Sequence, residues 1–214
     1  MRALLLGCVG LALTLGGPRS MAANAPSTAL DRFLAGLTTL RAGFTQRVVD
    51  ARGVTVQEAE GRLVVRRPGR FRWEVRPVGA EGGQVLVADG RNLWFFDRDL
   101  EQATVKPADA TLTATPAMLL SGAGDIRAAF DVQALPRAGG LDWVQVTPRA
   151  NDADFVDAKL GFAGRELRRM DLRDKLGQSV KLVFGKVTRN GAVDESEVQF
   201  TPPPGTDVIG TPLP

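Results

Sequence analysis

Two periodicities divide the chain. From Ser27 to Arg41, STALDRFLAGLTTLR, the apolar residues Leu30, Phe33, Leu34, Leu37 and Leu40 recur at helical spacing on one face. Ser27 or Thr28 supplies the N-cap and Gly43 the stop, so an amphipathic helix is predicted over 27–41. Beyond it apolar and polar positions alternate, as in strands with one buried and one wet face. Strands are predicted over 44–50, 54–67, 70–76, 84–88, 92–97 and 102–106, then over 130–135, 143–147, 158–162, 166–172, 179–188 and 198–200. Turn residues separate them, among them Asp50-Ala51-Arg52-Gly53, Pro68-Gly69, Asp89-Gly90-Arg91 and Arg189-Asn190-Gly191.

The alternation breaks once. Thr115-Pro116-Ala117-Met118-Leu119-Leu120-Ser121-Gly122 carries a cap, a proline at the first helical position and a glycine stop, the marks of a short apolar helix. The tail PPPGTDVIGTPLP is stiffened by proline and reads as a surface segment. Many short antiparallel strands with two helical interruptions imply one strongly curved sheet whose inner face has to be filled or covered. The expected fold is mainly β: a single unclosed antiparallel barrel of about eleven strands, with an α-helical lid over a hydrophobic cavity.

One position disturbs the pattern. In VVRRPGRFRWEV, Phe71, Trp73 and Val75 alternate with Arg70, Arg72 and Glu74. On the preceding strand Arg62, Val64 and Arg66 form the wet set, opposite Leu63 and Val65. Arg67 then falls in line with the apolar set. A guanidinium on an apolar face must find partners for five N–H donors.

Composition changes the picture by what it removes. MRALLLGCVGLALTLGGPRSMAANAP has one early Arg, an apolar run from Ala3 to Leu15 and small residues near Ala22, a secretory signal peptide over 1–22. The run is shorter than the ~20 residues a membrane span needs. Cys8 sits too early to be a lipidation cysteine. Losing Arg2 and Arg19 with the leader leaves 25 basic against 24 acidic residues, a net charge of about +1. No nucleic-acid footprint remains. The mature chain, 23–214, is one extracytoplasmic domain with no thiol, no His and no Tyr. Imidazole bases, His or Cys metal sites and thiolate nucleophiles are therefore excluded, and no serine stands in a G-x-S-x-G elbow. No cofactor is expected. Carboxylate-only chemistry stays open through Asp89, Asp97, Asp99 and Glu101, although turn roles explain these residues equally well.

Six stretches, in order, resemble the LolA family of periplasmic lipoprotein carriers: FTQRV (44–48), RRPGRFRW (66–73), LVADGRNLWFFDRDLEQAT (86–104), TPAMLL (115–120), MDLRDKLGQSVKLVF (170–184) and FTPPPGTDVI (200–209). The resemblance spans the mature chain and implies an unclosed barrel under a helical lid. It implies a periplasmic monomer, not an enzyme. The cargo would be lipoprotein with an acylated N-terminal Cys, taken from an inner-membrane lipoprotein-releasing ABC transporter and passed to the outer-membrane receptor LolB. By position before the motif's proline, Arg67 takes the family's lid-lock role, bonding to lid-helix backbone. Leu30, Phe33, Leu34, Leu37, Leu63, Val65, Phe71, Trp73, Met118, Leu119 and Leu120 become cavity and lid residues. LolB shares the fold but is itself lipidated, which the misplaced Cys8 opposes. Another periplasmic binder of hydrophobic ligands, a carboxylate hydrolase and an outer-membrane barrel are the remaining alternatives. For the last, the missing Tyr girdle and the opening helix weigh against.

Overall fold

The structure, a computed structural model, describes residues 27–108, 116–122, 124–150, 153 and 155–214. The segment read as a leader, 1–22, lies outside the described residues. The first element, α1 (Ala29–Leu34), starts where Thr28 caps it. The Thr28 hydroxyl accepts the Asp31 N–H at 3.2 Å while the Asp31 carboxylate accepts the Thr28 N–H at 2.7 Å, a reciprocal capping box.

The helix ends well short of Arg41. Gly36 takes φ +65°, a left-handed conformation that costs glycine little, and turns the chain. Thr39, Leu40 and Arg41 then open β1 (Thr39–Val49), and Gly43, expected as the helix stop, sits inside that strand beside a bulge between Ala42 and Phe44. Leu37 and Leu40 do fall at helical spacing from Leu30, Phe33 and Leu34. But Leu40, Ala42 and Phe44 also fit strand alternation, and pairing with neighbours on both sides decides for the strand.

The hairpins follow as β2 (Thr55–Arg66), β3 (Arg70–Pro77), β4 (Gln84–Asp89), β5 (Asn92–Asp97) and β6 (Gln102–Pro107). Two short helices, α2 (Pro116–Ser121) and α3 (Ile126–Ala129), interrupt the sheet. The latter, capped by Asp125, was not foreseen. Then come β7 (Phe130–Ala134), β8 (Asp142–Pro148), β9 (Phe155–Ala163), β10 (Glu166–Asp174) and β11 (Ser179–Arg189). All belong to one twelve-stranded sheet, completed by β12 (Asp207–Ile209), in the order β12-β6-β5-β4-β3-β2-β1-β11-β10-β9-β8-β7. The sheet is unclosed, with β12 and β7 at its edges. Among the described residues only β12 pairs in parallel, on β6, so the tail runs along the surface as expected and is also tied to the sheet.

The main core fills the concave side. Leu30 and Phe33 from α1 meet Leu63, Val65 and Phe71 from β2 and β3, Leu119 and Leu120 from α2, and Leu160 and Phe162 from β9. A smaller cluster lies on the convex side, where Val85, Val87, Trp94, Phe96, Ala103 and Val105 are capped by Phe200. The predicted strand over 198–200 is absent. A 3-10 turn at Glu195–Val198 packs over the convex side of β2 and β3 instead. That segment also corrects the reading of Val64. Its side chain points to the convex side as the alternation requires, yet it is only 1% exposed. Arg66 and Arg70 anchor the turn by ion pairs to Glu195, and Arg41 does so by an ion pair to Glu197.

Candidate functional site

Two hollows open on the concave side. The first, about 340 Å³, is lined by Trp73, Val75, Leu86, Phe95, Leu172, Val180 and Leu182, with Gln46, Gln57 and Gln84 at its margin. Its size lies near the lower end of the ~300–1,000 Å³ range of ligand pockets. Phe44 forms part of the floor between the two ends: its ring packs, tilted, 4.4 Å from Trp73 and stands over Gly61, where a β-carbon would fall 2.1 Å from it. The second hollow, about 540 Å³, lies among the lid helices, lined by Leu34, Arg67, Leu119, Ile126, Ala129 and Phe130 with neighbouring backbone.

The residues singled out from sequence divide between packed and open positions. Leu30, Phe33, Leu37, Leu63, Val65, Phe71, Leu119 and Leu120 are buried in the roofed end of the barrel. Leu34 and Trp73 are half-buried, Leu34 facing the lid hollow and Trp73 the apolar one. The Met118 side chain lies outside the described residues. Alternation on β5 places Phe95 inward and sends Trp94 and Phe96 to the convex cluster. Sequence reasoning left that parity open and did not name Leu86, Leu172, Val180 or Leu182. Pairing registers relate Leu86 and Phe95 to Trp73, since Leu86 stands opposite Trp73 on β4 and Phe95 opposite Leu86 on β5, while Leu172 and Val180 stand opposite each other on β10 and β11.

Arg67 is half-buried where β2 passes into β3. Its Nη1 donates to the Leu34 carbonyl at 3.1 Å and to the Leu37 carbonyl at 3.3 Å. Its backbone N–H donates to Thr38 O at 2.8 Å. On the other side stands Gly122, the residue after α2, so close that any side chain there would strike the guanidinium. The Gly69 N–H donates to Ser121 O at 2.9 Å. One turn thus touches both α1 and α2. Carbonyls at a helix C-terminus carry partial negative charge and lack intrahelical donors, so a cation is well placed there.

Two of the four carboxylates weighed for catalysis, Asp89 and Asp97, have local work. Asp89 accepts the N–H groups of Arg91 and Asn92 and the Trp94 indole N–H at 3.0 Å. Asp97 accepts the N–H groups of Asp99 and Leu100. Both shape turns. Among the described residues no three His, Cys, Asp or Glu side chains gather in a way that would hold a metal ion.

The chain resembles known proteins along most of its length. Residues 35–201 match the family model described as outer membrane lipoprotein carrier protein LolA. The outer-membrane lipoprotein carrier protein of Dechloromonas aromatica is 40% identical over 182 residues, covering 85% of this chain and 86% of that one. Its namesake in Chromobacterium violaceum is 35% identical over 205 residues, 96% of each chain. In Bordetella pertussis the corresponding figures are 37% over 180 residues and 84% of each chain. Among solved structures, an uncharacterized conserved protein from Thermus thermophilus shares the fold, with a TM-score of 0.54 at 15% identity over 85% of this chain and 96% of that one.

Proposed function

Since the chain belongs to the LolA family of outer-membrane lipoprotein carriers, we propose that it carries lipoproteins across the periplasm with their acyl chains inside the open barrel. The observation that carries this reading is an apolar hollow left open beneath a sheet whose other end is roofed and tied down by Arg67. Burying a CH₂ group contributes ~0.8 kcal/mol, so a sixteen-carbon chain brings roughly 12 kcal/mol gross. No such chain crosses water uncovered. The empty carrier presents Trp73, Leu86, Phe95 and Leu182 to it, and a larger load enters by lifting the lid.

Arg67 sets the balance between holding and releasing. Each charge-assisted bond to a lid carbonyl contributes ~1.5–3 kcal/mol, enough to keep the empty form shut and small against the gain from acyl burial. Residues 1–22 direct export and are removed. The inner-membrane ABC transporter that releases lipoproteins loads the carrier, and LolB at the outer membrane unloads it. The test is Arg67→Leu: uptake of a hydrophobic dye or a purified lipoprotein rises and onward transfer slows. Unchanged uptake and transfer in a folded variant would remove the lock.

A further inference from the structure

Arg67 is not alone at the end of α1. Following the backbone from Arg32 to Leu37, every carbonyl meets a side chain from the sheet. Arg165, in the β9–β10 turn, donates to Arg32 O at 3.2 Å. Arg189, the last residue of β11, donates through Nη2 to Phe33 O at 2.5 Å and to Ala35 O at 3.3 Å. Asn190 donates to Gly36 O at 2.9 Å and accepts the Thr38 N–H at 2.9 Å. Arg67 takes Leu34 O and Leu37 O. Six successive acceptors are thus divided among three loops that meet at one end of the barrel.

We propose that Arg165, Arg189 and Asn190 form a collar that keeps α1 docked by itself, so that loss of the Arg67 contacts frees α2 but leaves α1 in place. The two sets of contacts differ in reach. Arg67 sits between α1 and Gly122 at the end of α2. The collar's side-chain bonds all fall on residues 32–38. Arg189 also lies over the Phe33 ring, 5.2 Å from its centroid, and that ring packs at 5.5 Å against Phe162 in the core. The collar therefore fastens α1 both by its carbonyls and by its deepest side chain. Burial, and then the neighbouring Arg165 charge, lower the pKa of Arg189. Two cations so placed are tolerated because each faces helix-end carbonyls. The lid then has a fixed half, α1, and a door, α2. That consequence for loading rests on the carrier reading; the docking of α1 does not.

Hydrogen–deuterium exchange on the empty protein separates the two. In Arg67→Leu, amides of 116–122 exchange at least about tenfold faster, while those of 29–38 stay within about twofold of the wild type. In Arg189→Met, which has neither the guanidinium over Phe33 nor a donor, the pattern reverses: 29–38 accelerates about tenfold and 116–122 does not. Release of both segments by Arg67→Leu alone, or wild-type rates over 29–38 in Arg189→Met, would overturn the collar. Should Arg189→Met fail to fold, Asn190→Gly tests the collar at Gly36 and Thr38 instead, because glycine accepts the φ of +56° found there. Acceleration confined to 29–38 supports the collar, and wild-type rates overturn it. Failure of the wild type to bind lipoprotein would refute the carrier reading and leave these exchange rates untouched.

Discussion

A β-carbon placed on Gly122 would fall 2.2 Å from Nε of Arg67 and 2.4 Å from Nη2. The two residues come from opposite sides of the roof and fit only because one of them lacks a side chain. Gly122 also holds φ +68°, so glycine is required there twice over. Gly122→Ala is therefore expected to push the guanidinium off Leu34 O and Leu37 O. It should lower stability by ~1 kcal/mol from backbone strain alone, and raise dye uptake as is expected of Arg67→Leu. Thermal melting and a dye titration check both. Unaltered uptake would mean that Arg67 keeps its partners by moving aside.

Gly61 has the same relation to Phe44 on the barrel floor. A β-carbon would meet the Phe44 ring at 2.1 Å and the Glu74 carbonyl oxygen at 2.5 Å, and only the ring is free to turn. Gly61→Val should destabilise by ~1–3 kcal/mol, as overpacked cores do. In urea this appears as a lower midpoint with an unchanged m value.

Trp73 offers an internal reporter. Of the three tryptophans, it alone lines the apolar hollow; Trp94 belongs to the convex cluster, and the Trp143 indole N–H bonds to Ala138 O. With Trp94 and Trp143 both replaced by Phe, loading with an acylated peptide should shift the remaining emission to the blue. A spectrum indifferent to saturating ligand would place the acyl chain elsewhere.

Acid should loosen the turn at Glu195–Val198 on the convex side. The Glu197 carboxyl is held down from 4.5 to about 2, chiefly by hydrogen bonds from Arg41. A carboxylate with a depressed folded-state pKa adds stability that is complete above its unfolded value and is lost as pH falls through the folded one. The stability difference between the wild type and Glu197→Gln should thus be constant above about pH 5 and shrink from there toward pH 2. A difference that does not change with pH would assign the effect to packing rather than charge.

Local alternation made most of the sheet legible, because each hairpin has one dry and one wet face and a turn that closes it. Arg67 stood out for the same reason, as a cation in register with Leu63 and Val65. What sequence hid was set by distant partners. Leu40 satisfies both helix and strand spacing, and β11, some 140 residues on, settles it. Val64 reads as wet until the turn at Glu195–Val198 arrives to cover it. Arg189 looks like an ordinary strand-end residue, and only the fold brings it to the carbonyls of Phe33 and Ala35. The β12 pairing is parallel and three residues long, too short for any periodic signal.

The central claim is that an acyl chain rides inside the barrel. Native mass spectrometry of Arg67→Leu, extracted from the periplasm without detergent, tests it most directly. The account predicts a complex whose added mass is that of lipoproteins with intact acyl chains, lost when Leu86 and Leu182 are replaced by Asp in the same folded protein. A spectrum of bare carrier only, or bound lipoprotein that survives those replacements, would contradict it.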